Sequence, residues 1–459
     1  MIFYGLVALA ACIISIGLLL LKKPFFKMAL ASTSMVNALL DPVSDEDTKH
    51  KLVSRQLVHL LSSLVIFLFG LSTIVVAAYL PFLVYEVNAG ALEMETAGIW
   101  FYGSMLVGGL LPFLFYRPKS SSDYSELSKL LHRMVLDNQH LSRLLFGLEK
   151  KAFLKKNHDQ KPFLIITGLA RSGTTALTQL LHSTGHFHSL TYANMPFLLS
   201  PNLWQKIYHP KNAALKERAH GDSIQFGFDT VEALEEYFFK VMTHDAFIRD
   251  GALVPHHLNA ETIVAYADYR QLIAKGHGDS IYLAKNNNLL LRLDSLLQQE
   301  ADMKVVLMLR DPLVHAHSLL KQHARFTKLQ TEDPFVLEYM NWLGHHEFGL
   351  GHRPFQFENA TRTYYAITDI NYWLQRWIDY YQNAKKFVEN GKVMLVQHAE
   401  LANDPNVVLQ QIGKFMHLDF GRTHVVPYSG RTNESLHANP QLLELAHSIY
   451  AELVQAKAM

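Results

Sequence analysis

Cysteine is almost missing from this sequence: 459 residues hold one, Cys12, and it lies in an apolar segment. That excludes a disulfide framework, a cysteine metal site and a thiolate nucleophile from the rest of the chain, and it suits a reducing compartment. An excess of one charge is missing too. With 42 basic and 41 acidic residues the net charge is +1, so the balance gives no sign of a nucleic-acid partner. Internal repeats and low-complexity tracts are absent, and the length supplies material for one large or two modest domains. One absence is local: from Ala176 to Lys216 there is no carboxylate. Histidine, by contrast, is plentiful at 25 residues.

Long hydrophobic runs crowd the first quarter. Residues 2–21, 57–85 and 97–116 are each apolar over about the length that crosses a bilayer, so residues 1–117 read as a membrane region with three transmembrane helices. "LAAC" at 9–12 imitates a lipoprotein cleavage site, but no basic residue precedes it and the apolar run continues past Cys12. Lys22, Lys23, Lys27, Lys49, Lys51 and Arg55 lie between the first two runs, Arg117 and Lys119 follow the third, and residues 86–96 have no basic residue. The positive-inside rule then places the chain from Arg117 onward in the cytosol and the amino terminus outside. Residues 118–159 form a juxtamembrane linker and an amphipathic helix, with leucines from Leu127 to Leu148 at helical spacing across 123–150.

From residue 160 to 459 the pattern changes. "PFLIITG" (162–168), "IYLAKN" (281–286), "KVVLMLR" (304–310) and "VMLVQH" (393–398) are short apolar runs of the kind that form strands buried on both faces. Helix-like stretches separate them; "NDPNVVLQQIGKFMHL" opens on Asn403, Asp404 and Pro405, and "NYWLQRWIDYYQNAKKFVENG" stops at Gly391. The expected fold is α/β, a P-loop-like domain with a central parallel sheet flanked by helices, preceded by an all-α transmembrane region.

"GLARSGTT" (168–175) begins where the first of these strands ends. A turn between strand and helix with Gly168 and Gly173 lets backbone N–H groups approach an anion at a helix amino terminus. It departs from the nucleotide loop G-x-x-x-x-G-K-[ST], because Thr174 stands at the lysine position and the cation is Arg171. Arginine presents a planar fork to tetrahedral oxyanions, so such a loop neutralises a donor without a metal. A second constellation joins it: Arg310 ends the strand "KVVLMLR", and Ser318 follows eight residues later in "DPLVHAHSLL".

The loop, the Arg310–Ser318 spacing and "VQHAELANDPNVVLQQIGKFMHL" together resemble the sulfotransferase superfamily that uses 3'-phosphoadenosine 5'-phosphosulfate (PAPS). The resemblance covers roughly residues 160–435 and is closest to bacterial and Golgi-type members whose loop reads P-R-S-G-T-T. It implies that Gly168, Arg171, Ser172, Gly173, Thr174 and Thr175 hold the 5'-phosphosulfate, that Arg310 and Ser318 hold the 3'-phosphate, and that Arg431 in "YSGRTNESLH" adds a contact. Lys285 closes a strand where family members carry an active-site lysine. The implied activity is sulfuryl transfer to a hydroxyl by in-line displacement, with PAPS as donor and no metal required.

Such chemistry needs a base for the acceptor proton and cations for the departing oxygens. Arg171 and then Lys285 are the cations. The carboxylate-free stretch departs from members that place a glutamate soon after the loop, which leaves His220 with Asp222 nearby, Glu235, Glu236 or another histidine such as His188 as candidate bases. "NWLGHHEFGLGHRPF" offers His345, His346, Glu347 and His352, but Leu350 stands where a zincin needs its second histidine, so an acceptor-site or lid loop is expected and no metal. The stripe Tyr372, Trp373, Trp377, Tyr380 and Tyr381 reads as core. Partners expected are the bilayer and a hydroxyl-bearing acceptor, lipid or glycan favoured. Two other readings compete, a nucleotide-dependent kinase suggested by the loop and Asp311, and a non-catalytic membrane-bound nucleotide-binding module.

Overall fold

The computed structural model describes residues 2–40, 46–90, 98–115, 126–154, 162–208, 216–217, 225–226, 231–358, 360, 364–389, 391, 393–420 and 437–458. The chain divides into two compact units, Met1–Met134 and Val135–Met459.

The first unit is helical: α1 (Ile2–Leu40), α2 (Glu46–Ala89) and α3 (Ile99–Phe115). The basic segment after the first apolar run does not end the helix. Residues 18–40 hold no glycine, and their leucine, lysine, methionine and alanine favour helix strongly enough that α1 runs on through Pro24 and carries Lys22, Lys23 and Lys27 on its own turns. The three helices approach closely at small residues. A Cβ at Gly17 would collide with Ile74, one at Gly70 with Leu21, and one at Gly108 with the Ala8 carbonyl. Two of the helices are long and apolar enough to cross a membrane, and the third, 17 residues long, stands at the short end of that range.

The amphipathic stretch 123–150 is two helices, Glu126–Leu136 and α4 (Gln139–Phe153). Asn138 breaks it: its backbone leaves the helical region and its side chain accepts the Leu141 N–H at 2.9 Å, capping α4. The helix α4 belongs to the second unit. Its Ser142 hydroxyl pairs with the Tyr237 hydroxyl at 2.7 Å, and its buried Glu149 accepts from the Asn202 backbone at 2.8 Å.

At the centre of the second unit is a five-stranded sheet of β1 (Phe163–Thr167), β2 (Phe187–His188), β3 (Ile281–Lys285), β4 (Met303–Leu309) and β5 (Met394–Gln397). All pairings are parallel, and the order is β2-β3-β1-β4-β5. The four apolar runs are therefore four of the strands, buried almost throughout because helices cover both faces. On one face Leu164, Ile166, Val306, Met308 and Val396 pack against Leu177 and Leu181 of α5 (Thr174–Ser183) and Val408 and Ile412 of α10 (Pro405–Met416). Over the other, Phe163 meets Tyr266 of α7 (Ala260–Ala274), and Thr167 meets Tyr380 of α9 (Ile370–Glu389). Chain order places β1 beside β4 while the segments that follow them lead to opposite edges, to β2 and to β5. That is the switch point at which open α/β sheets bind ligands, and Gly168 and Arg310 stand at it.

Candidate functional site

The loop after β1 turns through three left-handed residues, Gly168 (φ 150°), Arg171 (φ 71°) and Gly173 (φ 104°). At Gly173 a side chain is excluded twice, by its φ and because a Cβ would lie 2.9 Å from His398 Cδ2. As a glycine N-cap it offers no side-chain bond to the first turn of α5, whose N–H groups point toward the space an anion would take. Arg171 lacks that excuse, so its backbone needs outside support. The segment after β4 supplies it: Arg310 Nη1 donates to the Arg171 carbonyl at 2.9 Å, and His315 Nε2 bonds the Ala170 carbonyl at 2.7 Å. Arg171 Nε in turn lies 3.4 Å from Ser318 Oγ on α8 (Pro312–Glu332). The two constellations read separately in the sequence thus share one place, with Arg171, Arg310 and Ser318 in it.

Below this cluster the core aromatics place the strand ends. Tyr381 donates to the Met308 carbonyl at 2.7 Å, Trp377 Nε1 to the Arg310 carbonyl at 3.3 Å and Tyr380 to the Asn287 carbonyl at 3.3 Å. The rings are buried as expected, and their polar tips bond backbone carbonyls at the strand ends. His398, at the end of β5, is held down at about 4 by burial and by the charges of Arg310 and Arg171.

On the other side of the loop, Lys285 Nζ at the tip of β3 donates to Thr175 Oγ1 at 2.6 Å and to Glu232 Oε2 at 2.8 Å. Thr174 Oγ1 reaches Asn287 Oδ1 at 3.5 Å, and Asn287 Nδ2 donates to Glu347 Oε1 at 3.3 Å. Glu347 pairs with His345, Nδ1 to Oε1 3.4 Å. Cations, hydroxyls and a helix amino terminus surround one space at the carboxyl ends of β1, β3 and β4. Donors arranged in this way suit an oxyanion, and a carboxylate and a histidine lie on the flank.

A sequence model of the sulfotransferase family matches residues 162–422. The chain belongs to the sulfotransferase family. Among solved structures, this sulfotransferase is similar to one from Mycobacterium tuberculosis, 13% identical over 74% of this chain and 87% of that one, with a TM-score of 0.39. A sulfotransferase of Alicyclobacillus acidocaldarius is 16% identical over 65% and 94% of the two chains, TM-score 0.33. Another, from Mycobacterium avium, is 12% identical over 81% and 86%, TM-score 0.37. No curated protein matches the chain in sequence.

The remaining candidate residues of this sulfotransferase fall in different places. His220, with Asp222, and Arg431 lie outside the described residues. Glu235 is enclosed under Tyr266 (2.5 Å), Tyr282 (2.9 Å) and Asn286 (3.0 Å), and burial pushes its carboxyl up, against those three hydrogen bonds. Glu236 forms a bidentate pair with Arg292, both contacts 2.7 Å. His188 bonds Ser280 at 2.9 Å and lies on β2 opposite Tyr282, three residues before the strand end that Lys285 marks. His346 and His352 are turned onto backbone carbonyls, and among the described residues no group of three metal-ligating side chains occurs. Sequence reasoning missed Glu232 and Asn287. Glu232 was hidden beside the more conspicuous Glu235–Glu236 pair, and the one available signal was the asparagine run directly after Lys285.

Proposed function

We propose that the chain is a membrane-anchored sulfotransferase that moves a sulfuryl group from PAPS to an acceptor hydroxyl, by in-line displacement and without a metal. The observation that carries this reading is the convergence of Arg171, Arg310 and Ser318 on one strained loop. Gly168 and Arg171 to Thr175 fit the 5'-phosphosulfate: the turn leaves no room for a Cβ and the helix amino terminus faces the anion. Arg310 and Ser318 fit the 3'-phosphate, with Arg431 as a further contact from outside the described residues. When bound, the donor supplies an activated sulfuryl group on a phosphate leaving group. Arg171 and Lys285 then bear on the negative charge that grows on the departing oxygen, and they supply locally the charge a metal would bring.

The kinase reading is weaker on two counts. The loop lysine is absent, and Asp311, its best support, caps α8 by accepting the Val314 N–H at 3.0 Å. A purely binding module has no use for Lys285 and Glu232 beside Thr175. The two long apolar helices support a membrane anchor, and the lysine and arginine distribution supports a cytosolic α/β unit, where PAPS is made. The acceptor we favour is a hydroxyl on a lipid or membrane-delivered glycan. The test supplies PAPS labelled in the sulfuryl group to membranes containing the full chain and fractionates them. Label in lipid or saccharide is the expected result; label in protein alone overturns the acceptor class, and no transfer at all overturns the activity.

A further inference from the structure

The reaction needs a group that takes a proton, and the described carboxylates near α6 (Glu236–Met242) are already committed. Glu236 is locked on Arg292, Glu235 sits under three donors, and Glu232 holds Lys285. Oxygens already engaged by a cation or by donors are not free to receive an acceptor hydroxyl. Across the loop stands a different device. His345 and Glu347 form a histidine–carboxylate pair, the pattern by which a carboxylate fixes the ring and tautomer of a working histidine. Asn287 ties the pair to the site, since it donates to Glu347 Oε1 and accepts from Thr174 at the start of α5. His345 Nε2, the far ring nitrogen, has no hydrogen-bond partner among the described residues.

Three charged groups face His345: Glu347 on its own segment, Lys285 at the tip of β3, and Glu232 from the segment before α6. Burial pulls the imidazole down, but the Glu347 charge and hydrogen bond outweigh it and hold His345 above its ordinary value. Burial likewise pushes Glu347 up, and His345 outweighs it, keeping the carboxylate down at about 2. The neighbouring histidines lack such a partner: His346 and His352 are lowered to about 4, chiefly by burial.

Resting on the reading of the chain as a PAPS-dependent sulfotransferase, we infer that His345, oriented by Glu347, is the base that accepts the proton of the acceptor hydroxyl. The acceptor oxygen forms its bond to sulfur as the bond from sulfur to the 5'-phosphate oxygen breaks. That electron pair leaves on the phosphate, and the hydroxyl proton passes to His345 Nε2. Glu347 is the positioning residue; it stabilises the imidazolium and is not itself protonated. Because His345 must be neutral to act, transfer falls as pH drops through its value, and removing the Glu347 charge moves that fall to lower pH.

The test uses membranes containing the full chain, with labelled PAPS as donor and the membranes' own acceptor, and measures the rate of label uptake against pH. Binding of adenosine 3',5'-bisphosphate to the solubilised chain is measured alongside. His345→Gln is expected to slow uptake by about a hundredfold with bisphosphate affinity unchanged. Glu347→Gln is expected to retain a reduced rate whose acid limb lies at lower pH than in the wild type. Wild-type rate and pH profile in His345→Gln overturn the assignment. Loss of bisphosphate binding together with transfer in His345→Gln overturns it as well, since that marks a structural role. A wild-type chain that binds no bisphosphate and transfers no label overturns the PAPS reading beneath it, and the inference falls with that reading.

Discussion

Arg292→Ala is expected to lower the stability of the α/β unit by about 3–5 kcal/mol, the cost of stranding one charge of a buried pair. Arg292 and Glu236 have side chains 0% and 2% exposed, and two parallel contacts of 2.7 Å join them. The guanidinium also lies over the rings of Phe239 and Phe247, 4.3 and 4.7 Å from their centroids. The substitution removes the charge partner, two charge-assisted hydrogen bonds and the flat surface between two rings at once. Replacing both partners by apolar residues of similar size, Arg292→Met with Glu236→Leu, is expected to recover most of the loss, because no unpaired charge then remains. The exposed pair Lys386–Asp294, 51% and 63% accessible, serves as control; breaking it should change little. Thermal and urea unfolding of the solubilised chain, followed by the fluorescence of the buried tryptophans Trp373 and Trp377, measures all three. Equal stability of Arg292→Ala and the wild type would show that Glu236 does not depend on this pair.

Arg310→Ala is expected to weaken adenosine 3',5'-bisphosphate binding by about 2 kcal/mol, roughly thirtyfold in Kd. Two effects add. The variant loses the charge-assisted contact proposed for the 3'-phosphate, and it frees the Arg171 carbonyl that Arg310 Nη1 holds at 2.9 Å, so that the left-handed Arg171 loses a support. Arg310→Lys should recover part of the affinity, since a lysine restores charge but cannot bond a phosphate and the carbonyl as a planar fork does. Isothermal titration reads both, and unchanged affinity in Arg310→Ala would reject the 3'-phosphate role.

Much of the α/β fold was legible because its strands are buried on both faces and so read as uninterrupted apolar runs. Edge strand β2 was not, since two residues, Phe187 and His188, carry no period. The break at Asn138 was missed because the leucine spacing continues across it, while the cap depends on one side chain turning back to its own backbone. At the site the difference is one of distance along the chain. Loop residues 168–175 and the Arg310–Ser318 pair are local patterns on a strand and the turn or helix after it. Lys285 and Glu232 are 53 residues apart, and Asn287 and Glu347 are 60 apart. Only tertiary packing brings them together, and no spacing rule announces it. His345 and Glu347 stood out in the sequence, yet adjacent histidines draw attention to metals, whereas here His346 and His352 face backbone and His345 alone pairs with the carboxylate.

The loop after β1 is proposed to hold the phosphates and sulfuryl group of PAPS in place of the phosphates of a metal-bound nucleoside triphosphate. Calorimetric titration of the solubilised full chain with adenosine 3',5'-bisphosphate, and separately with ATP and Mg²⁺, tests it most directly. Saturable binding of the bisphosphate without added metal, at much higher affinity than ATP with Mg²⁺, is the expected result. Tight binding of ATP with Mg²⁺ and none of the bisphosphate would contradict it.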